Sequence, residues 1–143
     1  MNLMTWWRRW TTRRAAEPEH LRRGRLGEEA AAAELCRRGW THLTSNYRGS
    51  RGEIDLVFRD GEFLVFVEVK TRSSEAWVRP AAAVNAGKRR RLLHTAQHYL
   101  RRLPDSRVRW RFDVVEVLLQ DGSVREIRVL VHAFERLTDT PRR

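Results

Sequence analysis

An α/β domain with its elements in the order α-β-β-β-α-β-β is what the sequence predicts, and three observations predict it. Two stretches space their apolar residues as helices do, and five have the composition and length of strands. Two Asp-Gly pairs, Asp60-Gly61 and Asp121-Gly122, mark tight turns between neighbouring strands. At 143 residues and 41% hydrophobic content, the chain suffices for one domain with a core and a short extension.

Residues 1–20 interleave Trp6, Trp7 and Trp10 with arginines and end near Glu17-Pro18. They read as an extension, with residues 21–135 as the domain and 136–143 as a tail. A base-stacking arm and an interfacial anchor are both conceivable for the extension. Loose packing of an untethered terminus is the favoured reading, and membrane contact is disfavoured. A first helix is expected over 20–38, with Ala30-Ala31-Ala32-Ala33 in its middle and Gly39 stopping it. Gly24 and Gly27 weaken its first turns. At 100° per residue Leu21, Glu28, Ala32 and Leu35 share a stripe, which turns Glu28 inward.

A first strand is expected over 40–47 and a basic loop over 48–52. A hairpin follows over 53–70, then a loop over 71–83 holding Trp77 and Pro80. The second helix, 85–103, carries Leu92, Leu93, Ala96, Tyr99, Leu100 and Leu103 at helical spacing. Lys88, Arg89, Arg90 and Arg91 load its first turns, against the preference for acids there. Strands over 108–119 and 124–131 complete the order.

The hairpin carries charges where burial is expected. Val65-Phe66-Val67-Glu68-Val69-Lys70 sets an acid and a lysine at the end of an apolar strand, and Gly52-Glu53-Ile54-Asp55-Leu56 supplies further acids. With Asp60-Gly61 as a two-residue loop, Arg59 faces Glu62, Val57 faces Leu64, Asp55 faces Phe66 and Glu53 faces Glu68. Glu53, Asp55, Glu68 and Lys70 then share one face, Asp55 and Glu68 as diagonal neighbours. Ile54, Leu56, Phe58, Phe63, Val65, Val67 and Val69 form an apolar opposite face suited to a helix.

Carboxylates so placed suit Mg²⁺, a hard cation that takes oxygen ligands, with Mn²⁺ as substitute. Such an ion serves phosphodiester hydrolysis. Asp55 and Glu68 are the expected ligands, with the Val69 carbonyl as a third oxygen and Glu28 approaching from the helix. Lys70 would orient water or stabilise transition-state charge. The bland alternative is a Glu68–Lys70 ion pair at a sheet edge. His94 and His98 have zinc-compatible i, i+4 spacing but no further ligand nearby, so a solvated or phosphate-facing pair is expected. Trp77 and Trp110 read as packing residues, and Asp113 as a structural polar contact outside the site.

The formal net charge is +11. Four arginines against two glutamates leave +2 in residues 1–20, so +9 belongs to the remainder. Nucleic acid is the commonest partner for such a surface. Arg48, Arg51, Arg72 and Lys88 are the expected phosphate contacts. One cysteine, Cys36, excludes an internal disulfide and fits a reducing cytoplasm; no apolar run of membrane-spanning length occurs.

These residues resemble the YraN family and the Holliday-junction resolvase branch of the PD-(D/E)XK nuclease superfamily. The resemblance rests on Gly24-Arg25-Leu26-Gly27-Glu28-Glu29-Ala30, on Gly52-Glu53-Ile54-Asp55-Leu56-Val57 and on Val65 through Arg72. Lys88 and Arg111-Phe112-Asp113 add to it, and it covers residues 21–135. It implies a restriction-endonuclease-like core, a mixed sheet flanked by helices, with a one- or two-metal site. Glu28, Asp55, Glu68 and Lys70 fall on the superfamily's three acids and lysine, with Ile54 in place of its usual proline. The implied activity is a Mg²⁺-dependent endonuclease acting on DNA, branched or otherwise structured; the alternative is a non-catalytic nucleic-acid-binding module with the same fold. Symmetric cutting of two strands would call for a homodimer, and a monomer stays open.

Overall fold

Helix α1 (Glu19–Arg37) is followed by strands β1 (Thr41–Arg48), β2 (Glu53–Asp60) and β3 (Phe63–Ser73). Helix α2 (Ala86–Leu100) and strands β4 (Arg109–Gln120) and β5 (Ser123–Phe134) complete the chain. The structure, a computed structural model, describes residues 17–73, 85–105 and 107–134. The Trp-rich start, Trp77, Pro80 and the tail of the sequence reading lie outside these. Among the described residues no helix is long and apolar enough to cross a membrane.

The α/β class, the mixed sheet and the element order are those expected. One five-stranded sheet runs β1-β2-β3-β4-β5, antiparallel throughout except for the parallel pair β3–β4. A parallel pair cannot be joined by a hairpin, so the segment containing α2 crosses over between them. Helices cover both faces. Ala31, Ala32 and Leu35 of α1 pack on Leu56, Phe58, Val65, Val67, Val115 and Val117. Leu92 and Ala96 of α2 pack on Val57, Leu64, Phe66, Phe112 and Val114.

Several sequence expectations need correction. The β2–β3 turn is centred one residue later: Asp60 pairs with Phe63, Arg59 with Leu64 and Val57 with Phe66. Gly61, at φ +56°, takes the first central position of the turn, where a II′ hairpin demands glycine. The register therefore differs by two residues, which preserves every face. Ile54, expected to share a face with Leu56, Phe58, Val65 and Val67, instead joins the cluster under α2 while those four pack under α1. The pleat is interrupted there, because Asn46, which the β1–β2 register sets opposite Asp55, adopts φ +53°.

Leu21 is 53% exposed rather than buried, since the first turns of α1 overhang the sheet. Strand β3 runs through Thr71, Arg72 and Ser73, held by pairing to Val117, Leu118 and Leu119, where a loop was expected. Helix α2 ends at Leu100, three residues early. Pro104 follows closely and disfavours helix in the residue before it.

Candidate active site

Correct register brings the acids closer than the sequence reading required. The last ladder pair of β2 and β3 is Leu56–Val67, and one further step sets Asp55 directly beside Glu68. Opposed side chains lie about 5 Å apart at Cβ. The Val69 amide donates to Asp55 Oδ2 at 2.8 Å, which holds the carboxylate against β3. Glu28 reaches the same place from α1 and is hydrogen-bonded by the Asn46 side chain. Glu28, Asp55, Glu68, Val69, Lys70 and Lys88 all border one open cavity of about 420 Å³. A smaller cleft of about 250 Å³ adjoins it, sharing Asp55, Glu68 and Lys88 and adding Glu53 and Arg91.

Two local features create this convergence. Gly27 is buried against β3, and a Cβ there would stand 1.8 Å from Thr71 Oγ1. Only glycine lets α1 approach so closely, and the approach delivers the adjacent Glu28. Gly24, one turn earlier, leaves the cavity mouth open, with nothing within 4 Å of a Cβ.

Electrostatics in the cavity is set first by burial and then by the crowding of acids. Burial, then repulsion from Glu68, pushes the Asp55 carboxyl up to about 8, against the lowering pull of the Val69 N–H. Burial, then Glu53 and Glu68, raises Glu28 to about 7, opposed by the Asn46 hydrogen bond. Two ammonium groups answer this charge. Lys70 Nζ lies 3.4 Å from Glu68 Oε1, and Lys88 Nζ pairs with the same oxygen. Burial and the neighbouring Lys88 lower Lys70, against the pull of Glu68. Burial also works against the Lys88 ammonium, but Glu68 outweighs it and raises Lys88.

The donor set is all oxygen, gathers three carboxyl groups and opens to solvent, which fits a hard divalent cation. Among the described residues no three acidic, His or Cys side chains already form a cage. Asp55 and Glu68 stand side by side one step beyond the Leu56–Val67 pair, while Glu28 interacts with the Asn46 side chain.

The expected phosphate contacts disperse. Arg48 is exposed and pairs with Glu53 at 3.1 Å. Exposed Arg51 sits on the 49–52 loop, which docks on α2 by Gly49 and Gly52 lying against Thr95. Arg72 Nε lies 3.7 Å from buried Glu116, away from the cavity. Lys88 turns its ammonium onto Glu68 instead of outward. His98 is tied to the Tyr47 hydroxyl at 2.6 Å, and His94 Nδ1 is buried, so the pair is not the solvated one expected. Trp110 packs edge-on against Phe66 and Phe112, as a packing residue should. Asp113 is fully buried and accepts from Arg111 Nε and the His132 amide, the structural contact foreseen.

Asn46 and Glu116 escaped sequence reasoning, and Gly27 entered it as a weak point of the helix, not as the close contact with Thr71. Asparagine's tolerance of positive φ is a signal for Asn46, but only once its neighbours in space are known.

Fold and cavity together define an α/β protein whose mixed sheet presents buried and half-buried acids, beside two half-buried lysines, at the end of a hairpin ladder. Its relatives narrow this. Residues 27–117 match the uncharacterised protein family UPF0102, the YraN family, and the chain belongs to that family. It is 46% identical over 112 residues to a UPF0102 protein of Symbiobacterium thermophilum, covering 78% of this chain and 94% of that protein. A UPF0102 protein of Syntrophus aciditrophicus is 42% identical over 117 residues, covering 82% and 91%. One of Solibacter usitatus is 47% identical over 110 residues, covering 76% and 82%.

Proposed function

We propose that the protein is a metal-dependent endonuclease that hydrolyses phosphodiester bonds in DNA, with branched or structured DNA as the substrate class. The observation that carries this reading is the meeting of Asp55, Glu68, Glu28 and Lys70 at one open cavity. Asp55 and Glu68, with the Val69 carbonyl, would hold Mg²⁺ or Mn²⁺, and Glu28 would close in from α1. Such an ion, when bound, polarises the scissile phosphate and acidifies the attacking water. Lys70, beside Glu68, stabilises negative charge growing on the phosphoryl oxygens. The basic excess of +11 supports an anionic substrate. Arg51, exposed on a loop braced by α2, would contact phosphate.

A second reading, a non-catalytic nucleic-acid-binding module, draws on the Lys88–Glu68 pair, which leaves one acid already neutralised. Incubating wild type and Glu68→Ala with single-stranded, duplex, flap and four-way DNA, with and without Mg²⁺ or Mn²⁺, separates the two. A nuclease cuts only with the ion and loses about 100-fold or more in Glu68→Ala while still binding DNA. Absence of metal-dependent cutting on every substrate would favour the binding module.

A further inference from the structure

Glu68 is the most enclosed acid of the cavity, its side chain 5% exposed, and two cations crowd one of its oxygens. Lys70 approaches along the same strand. Lys88 approaches from the first turn of α2, with its side chain 35% exposed against 24% for Lys70. It therefore enters from the solvent side, across the mouth of the cleft. Its backbone is pinned, because Asn85 Oδ1 caps α2 by accepting from the Lys88 amide at 2.9 Å. The four-carbon stem beyond is free to pivot about that fixed point. The sequence places Arg89, Arg90 and Arg91 directly after it, so an ammonium leaving Glu68 stays within a basic surface.

We propose that the Lys88 ammonium is a resident counter-cation of the acidic site, which a divalent cation displaces, and that the freed ammonium then faces a phosphate admitted to the cleft. This rests on the reading of Asp55 and Glu68 as metal ligands. A dication and an ammonium on one carboxylate oxygen repel, and the dication carries twice the charge at shorter range. Displacing Lys88 weakens apparent metal affinity in the empty protein. A phosphate that takes up the released ammonium offsets that loss, so ion and phosphate binding reinforce each other. Lys88 would thus link loading of the ion to arrival of the nucleic acid. A fixed structural pair would show no such link.

The test is calorimetric titration of MgCl₂ and MnCl₂ into metal-stripped wild type, Lys88→Met, Lys88→Gln, Arg91→Met and Asp55→Ala. Arg91 borders the same cleft and controls for loss of a positive charge. The expected result is about five- to tenfold tighter ion binding in both Lys88 variants, the size of a partly exposed pair. Arg91→Met should stay within about twofold of wild type. Using Ca²⁺ to limit cleavage, fluorescence anisotropy of a labelled duplex should show the ion tightening DNA binding in wild type and much less so in Lys88→Met. If the ion binds wild type but not Asp55→Ala, while the Lys88 variants match wild type or Arg91→Met, the inference fails and the metal reading stands. If no variant and no wild type binds the ion, both fall. Thermal unfolding of each variant confirms that folded protein is being titrated.

Discussion

Replacing Asp55 by asparagine should stabilise the metal-free protein at alkaline pH and change little at acid pH. Burial and Glu68 raise the Asp55 carboxyl from 3.8 to about 8. Between these values the folded protein keeps a proton that the unfolded chain has released, so stability falls as pH rises through the window and levels off above about 8. Each pH unit is worth about 1.4 kcal/mol per proton, so the full displacement corresponds to roughly 6 kcal/mol. Asp55 interacts strongly with Glu68, and relaxation of the pair reduces the usable amount to about half, near 3 kcal/mol. Asparagine keeps an oxygen for the Val69 amide while removing the charge. For a chain of this length the difference corresponds to roughly 6–12 °C in melting temperature at pH 9, shrinking toward zero near pH 4. Melting followed by circular dichroism in EDTA, from pH 4 to 9, measures it. Mg²⁺ in about hundredfold excess over its dissociation constant should stabilise wild type by about 2.7 kcal/mol and leave the asparagine variant unmoved. Parallel melting curves for the two proteins across the pH range would refute the reasoning.

Two further perturbations separate scaffold from site. Gly27→Ala drives a methyl into Thr71 Oγ1 and should cost about 1–3 kcal/mol in urea unfolding, with weaker metal binding because Glu28 is carried away from the cavity. Part of that loss should return in the Thr71→Ala background, and a double-mutant cycle gives the coupling. Asp113→Ala leaves the buried Arg111 guanidinium with Asp60, at 2.8 Å, as its remaining carboxylate and takes the acceptor from the His132 amide, and should cost about 1–3 kcal/mol. Its calorimetric metal affinity per folded molecule should equal that of wild type, since Asp113 does not border the cavity.

Much of the hairpin was legible from alternation alone. Face assignment depends on parity, so a turn displaced by one residue on each strand still left Asp55, Glu68 and Lys70 together. Ile54 broke the pattern because alternation presumes an unbroken pleat, and the departure lies across the ladder at Asn46. Helical spacing turned Glu28 inward correctly, yet could not tell that Leu21 overhangs open space. The distance between α1 and β3, which makes Gly27 indispensable, is a tertiary quantity with no signature in local pattern. Lys88 was read as a phosphate contact from its basic neighbours. Its pairing with Glu68 depends on where the crossover delivers α2, which only the parallel arrangement of β3 and β4 decides.

That parallel arrangement divides the labour of the chain unequally. Every described residue bordering the acidic cavity falls between 20 and 88, whereas β4 and β5 serve as a buttress that contributes no group to its lining. Drift in the second half should therefore register as altered robustness, and the chemistry should change only when the first half does. A graft that keeps residues 20–100, so that α2 still delivers Lys88, and rebuilds the buttress with a strand pair of matching apolar faces would inherit the whole constellation.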